Sequence, residues 1–68
     1  MSAGINYGFR AQRVKTAHTQ ETLASAIGVT AATVGNWEAG RSRPKPADMI
    51  RLSKALKVSV EDVVRMFA

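Results

Sequence analysis

The sequence contains no cysteine, a single histidine and only two prolines among its 68 residues. Without cysteine there is no disulfide and no thiolate metal site, and one histidine is too few for the usual zinc ligand sets. The apolar runs are only a few residues long, whereas a membrane-spanning helix needs about 20. The first residues lack the basic stretch and the long apolar region of a signal peptide. We therefore expect a cytoplasmic protein with no metal and no cofactor, stabilised by one apolar core.

Acidic residues are also scarce. Ten Lys and Arg stand against five Asp and Glu, which leaves a formal net charge of +5. On so short a chain this imbalance favours a polyanionic partner, nucleic acid ahead of a membrane surface. The sequence offers no carboxylate pair, nucleophile–base set or phosphate-binding loop, so we do not expect an enzyme. Charge that serves only solubility is the alternative to a nucleic-acid partner.

What the sequence does have is helical periodicity, interrupted by glycines and N-cap residues. Apolar residues spaced by three and four positions predict five short helices packed as an all-α bundle. The first predicted helix runs from about Ile5 to about Thr16 and carries Ile5, Phe9 and Arg13 on one face. An arginine on an apolar face needs a partner. The fourth predicted helix begins at Pro46, a residue favoured in the first turn.

A tight turn joins the second and third predicted helices. Thr19 suits the N-cap of the second helix, and Gly28 ends it because glycine adopts left-handed backbone angles without penalty. Val34 points the third helix toward the core, so its opposite face is free. The arrangement, over about residues 19–38, is that of a helix-turn-helix unit, in which the second of the two helices enters the major groove of DNA.

Between residues 19 and 63 the chain carries, in this order, the segments TQETLA, IGVT, WEAG, RSRP and LSKALKVSVEDV. In these segments it resembles the Cro/repressor-type (XRE-like) helix-turn-helix domain of phage repressors and related bacterial regulators. The resemblance covers roughly residues 5–66. It implies one lambda-repressor-like DNA-binding domain over residues 1–68, in a bacterial or phage-encoded protein associated with the nucleoid.

The resemblance also implies which residues read bases. These are the outward positions of the third helix, namely Ala31, Ala32, Thr33 and Asn36. Asn36 has the donor and acceptor for a bidentate contact to adenine, and alanine can pack on thymine methyl groups. The set contains no Arg, Lys or Gln, so recognition has to rest on few groups and on DNA shape. For the alanines the alternative is simple helix propensity, and for Asn36 it is a phosphate or solvent.

Charge surrounds this helix instead of lying on it. Gln20 opens the second helix, where family members bind phosphate and where the helix N-terminus favours anions. The segment GRSRPKP, residues 40–46, supplies a basic loop. The candidate phosphate contacts are Gln20, Thr30, Arg10, Arg41, Arg43 and Lys45. For each cation the alternative is a solvated surface charge.

Two further roles concern architecture. The resemblance pairs Arg13 with Glu38, which would give the arginine of the first helix its partner. Two-fold DNA recognition predicts a homodimer, at least on DNA, with half-sites about 10 bp apart. The expected dimer surface consists of Val60, Val64, Met66 and Phe67, and the alternative is that these residues only cap the core.

Together these features predict a sequence-specific regulator of transcription. The expected form is a repressor that binds a pseudo-palindromic operator on double-stranded DNA, without a small-molecule ligand. The alternative from a different functional class is a protein-interaction module, such as an antitoxin or an anti-repressor partner, built on the same fold. Binding that does not weaken with salt would favour that alternative.

Overall fold

A computed structural model describes residues 4–68, and the first three residues of the predicted domain lie outside it. Over the described residues the chain forms five α-helices. They are α1 (Tyr7–Lys15), α2 (Gln20–Ile27), α3 (Ala31–Glu38), α4 (Pro46–Leu56) and α5 (Val60–Met66). This confirms the predicted all-α, five-helix architecture. None of the described helices has the length and apolar character needed to cross a lipid bilayer.

The start of α1 differs from the prediction. Asn6 is the N-cap, and its Oδ1 accepts from the backbone N–H of Phe9 at 3.1 Å. The helix therefore begins at Tyr7, two residues after the predicted start near Ile5, because the chain has non-helical backbone angles at Asn6. Ile5 is 46% exposed and does not join the inner face of the helix.

Asn6 also connects three helices. Its backbone N–H donates to the carbonyl of Glu38, the last residue of α3, at 2.7 Å. Its side-chain Nδ2 donates to the carbonyl of Met66, the last residue of α5, also at 2.7 Å. The start of α1 and the ends of α3 and α5 therefore meet at one residue.

The helix-turn-helix unit is defined by local caps. Thr19 accepts from the backbone N–H of Thr22, whose hydroxyl accepts from the backbone N–H of Thr19 in return, a reciprocal cap for α2. Gly28 ends α2 with φ at +78°, in the left-handed region that favours glycine. Thr30 then caps α3 by accepting from the backbone N–H of Thr33 at 3.2 Å. The predicted bounds of α2 are confirmed.

The core lies between all five helices, with Phe9 at its centre. The Phe9 ring meets Trp37 edge to face, with centroids 6.3 Å apart, and the ring of Phe67 at 5.1 Å. Such aromatic pairs are worth about 0.5–1.5 kcal/mol beyond the area they bury. The buried apolar residues are Phe9, Leu23, Ala24, Ile27, Val34, Trp37, Leu52, Leu56, Val63 and Phe67.

The last turn of the chain corrects one expectation about the dimer surface. Phe67 is only 7% exposed and belongs to the core, and Met66 packs partly against it. Their apolar area is used within the monomer because α5 is short and its C-terminal turn closes over Phe9. Val60 and Val64, by contrast, are 39% and 45% exposed.

The turn between α4 and α5 carries backbone strain. Lys57 ends α4 with φ at +58° and ψ at +43°, a left-handed conformation that costs non-glycine residues roughly 1–2 kcal/mol. The conformation is retained because the N–H groups of Lys57 and Val58 both donate to the carbonyl of Ser53.

We predict that Lys57→Gly stabilises the protein by about 0.5–1 kcal/mol, since glycine removes the strain but adds entropy to the unfolded chain. Urea unfolding followed by circular dichroism measures the change. The matched control is Lys54→Gly, which changes the same exposed residue type inside α4 and should destabilise by about 1 kcal/mol. A loss of stability in both variants would contradict the strain at Lys57.

Candidate nucleic-acid interface

A nearly buried ion pair fixes the end of α3 against α1. Arg13 donates from Nε to Oε2 of Glu38 at 2.5 Å and from Nη2 to Oε1 at 3.3 Å. The two side chains are 12% and 8% exposed. The remaining Nη1 of Arg13 donates to the carbonyl of His18, in the turn before α2, at 2.7 Å. One guanidinium thus ties α1, the start of α2 and the end of α3 together.

This pair, with two apolar residues, decides which side of α3 faces outward. Val34 and Trp37 are buried on the same side of the helix as Glu38. Ala32 is exposed on the opposite side, and Thr33 and Asn36 are half-buried. Ala31 is also half-buried and packs against the core, so less of its methyl group is available to a ligand than at Ala32. These four are the positions expected to read bases.

Asn36 has a neighbour that the sequence did not indicate. Its Oδ1 accepts from Nη1 of Arg41 at 3.4 Å. Arg41 is held there by its own backbone, because its N–H donates to the carbonyl of Asn36 at 3.0 Å beyond the end of α3. Gly40, with φ at +76°, makes this reversal of the chain possible.

A shallow groove of about 280 Å³ lies beside the outward side of α3, where α1, α2 and α3 meet. Arg10, Gln20 and Gly35 line it, together with the paired Arg13 and Glu38. The amide of Gln20 lies against Gly35, where an added Cβ would come within 3.6 Å of Oε1. That distance is an ordinary van der Waals contact, so the Gln20 amide packs directly on α3 beside the α2 N-terminus.

The charge around α3 is of one sign. Arg41, Arg43 and Lys45 are all exposed in the loop that follows α3, and buried Pro44 anchors that loop. Between residues 28 and 45 the one acidic residue is Glu38, which is buried and paired. All the exposed charged side chains of this segment are therefore positive, as expected of a surface that binds a polyanion. Thr30 is exposed as well, with its hydroxyl engaged in capping α3.

Sequence reasoning missed one contact at this surface, between Arg41 and Asn36, and one residue of the fold, Asn6. The contact between Arg41 and Asn36 depends on how a side chain folds back over a helix end, which no local pattern encodes. Asn6 had a signal, an N-cap residue three positions before buried Phe9, but the apolar Ile5 concealed it.

Comparison with known proteins assigns the chain to a family. The sequence model described as "Helix-turn-helix" matches residues 9–63, most of the chain. The chain belongs to the Cro/repressor-type helix-turn-helix family. This confirms the resemblance found in the sequence. The helix-turn-helix regulator DicA of Escherichia coli is 38% identical over 59 residues, which are 87% of this chain but only 42% of DicA. The chain thus spans less than half the length of that curated relative.

Solved structures share the fold of this helix-turn-helix protein. The DNA-binding domain of the P22 C2 repressor superposes with a TM-score of 0.81 at 28% identity, over 94% of this chain and 86% of that one. The restriction-modification controller protein C.AhdI from Aeromonas hydrophila gives 0.78 at 26% identity, over 85% and 84%. The first is named as the DNA-binding domain of a repressor, and the second as a controller protein of a restriction-modification system.

We predict that breaking the ion pair from one side destabilises the protein strongly. Arg13→Met or Glu38→Leu alone should each cost about 3 kcal/mol, because each leaves a buried charge without its partner. The double variant should cost clearly less than the sum of the two single variants. A double-mutant cycle in urea measures this coupling. Additive losses would show that the two charges act independently.

Proposed function

We propose that this helix-turn-helix protein is a sequence-specific regulator of transcription that binds double-stranded DNA with α3 in the major groove. The observation that carries the proposal is the division of α3 into two sides. Val34, Trp37 and Glu38 hold one side in the core, and the other presents small side chains between Gln20 and the cationic loop. A helix with small outward residues can approach the base edges closely, while phosphates are bound from its flanks.

Each part of this surface has a role in the proposal. Ala32, Thr33 and Asn36 contact base edges, and Ala31 adds a methyl contact at the rim. Gln20 binds phosphate with its amide and with the N-terminal end of α2. The remaining phosphate contacts are Thr30, Arg10, Arg41, Arg43 and Lys45. Arg10 lies in the groove next to Gln20, which supports its placement on the DNA-facing side.

The protein is proposed to act as a dimer that binds a pseudo-palindromic operator. It is proposed to repress transcription and to be located in the cytoplasm. One helix reads only a few base pairs, so two symmetric copies give the specificity that one lacks, with half-sites about 10 bp apart. Val60 and Val64 stand one turn apart on α5, and both are exposed. They form the apolar part of the proposed dimer surface, whereas Met66 packs against the core.

The function is tested by selecting binding sites from random duplexes and titrating the selected site with salt. We expect an enriched sequence and a steep linear fall of log affinity with log salt, about 0.9 per phosphate contact. Arg43→Ala should flatten the slope by about one contact. Lys54→Ala, an exposed lysine on α4, is the control and should leave the slope unchanged. A salt-independent affinity would reject the phosphate contacts and favour a protein partner.

The dimer is tested with Val64→Asp, which places a charge in the proposed interface. We expect at least a tenfold loss of affinity for the two-half-site operator and little change for a single half-site. Ile50→Asp, at an isoleucine of α4 that is 49% exposed, is the control and should change neither. Unchanged affinity of Val64→Asp for the full operator would contradict the proposed surface. Repression is read from a reporter whose promoter contains the selected operator.

A further inference from the structure

The contact between Arg41 and Asn36 has a chemical consequence for base reading. A guanidinium carries five N–H donors and no acceptor. It can therefore face only the amide oxygen of Asn36, and Nη1 lies 3.4 Å from Oδ1. The amide orientation follows from the charge beside it, and the NH₂ group is left as the free end.

The position of Arg41 is itself built into the helix end. Gly40 adopts a left-handed conformation, and the N–H of Arg41 then donates to the carbonyl of Asn36. A cation beside the last carbonyls of α3 is also favoured by the helix dipole. The backbone of residue 41 is thereby held close to Asn36, so a long side chain that ends in a donor group reaches the Asn36 amide.

Free asparagine prefers adenine because its oxygen accepts from N6 while its NH₂ donates to N7. With the oxygen turned toward Arg41, one of its two lone pairs is engaged and the amide presents its NH₂ group, the donor half of that pair. Guanine presents two adjacent acceptors in the major groove, N7 and O6, whereas adenine presents one acceptor and one donor. An amide that presents its NH₂ end is therefore matched to guanine.

We infer that Arg41 is a specificity-determining residue that acts through Asn36, and that it changes the base read by Asn36 from adenine to guanine. Arg41 is a positioning residue here, separate from its contribution to phosphate binding. The inference rests on the proposed function, in which α3 lies in the major groove, and it revises the adenine contact expected from the sequence.

The test compares binding-site selections for five proteins. In the wild type we expect one base pair per half-site with a preference for guanine, and Asn36→Ala should abolish the preference at that pair. Arg41→Ala should switch the same pair to adenine, with a change of roughly tenfold in relative affinity. Arg41→Lys keeps a donor next to the amide and should keep guanine. Arg43→Ala removes an equal charge from the same loop and should weaken all sites alike.

The outcomes separate this inference from the proposed function. If Arg41→Ala only weakens all sites, as Arg43→Ala does, or if the wild type reads adenine through Asn36, the role of Arg41 is refuted and the proposed function stands. If no sequence is enriched by the wild type, the proposed function fails and the inference with it. Arg41 and Arg43 are both exposed, and the backbone N–H of Arg41 is retained in its variants.

Discussion

The bidentate pair between Arg13 and Glu38 is the interaction on which the placement of α3 depends. Neither charge is tolerated alone at that depth, so each holds the other's helix in position. Because Glu38 is the last residue of α3, the pair fixes the rotation of the helix about its axis as well as its end. The remaining nitrogen of the Arg13 guanidinium, Nη1, donates to the carbonyl of His18 in the turn before α2. The two helices of the unit are thus oriented from a single side chain on α1.

Once α3 is fixed, the proposed function divides DNA binding between two kinds of group. The outward side of α3 is small and uncharged, and the cations nearest to it in the proposal lie in α1 and in the loop from Arg41 to Lys45. In that proposal, long-range attraction to a polyanion and close contact with it come from different parts of the chain. This division explains how a helix without Arg, Lys or Gln on its outward side fits a basic protein. Gln20 belongs to the same arrangement, because its amide packs against Gly35 on the side of α3.

The parts of the fold that could be predicted from the sequence are those set by local chemistry. Thr19 and Gly28 bound α2 because caps and left-handed turns act within a few residues, and Val34 and Trp37 follow helical spacing. Contacts between distant residues escape such reasoning, as with Asn6, whose side chain binds a carbonyl 60 positions away. Phe67 shows another limit, since apolar character alone does not say whether a short terminal helix faces the core or solvent. At the candidate site, the residue types were evident, but the orientation of the Asn36 amide needed Arg41 in place.

The separation of buried and exposed positions on α3 bears on how such a protein diversifies. Ala32 is exposed and lies opposite the buried side of the helix, so a larger side chain there leaves the core packing of α3 intact. The side of α3 that is proposed to read bases can therefore accumulate new donors or acceptors without first acquiring compensating changes in the interior. A small helix of this kind is a starting point from which related copies can drift toward different operators while keeping one scaffold.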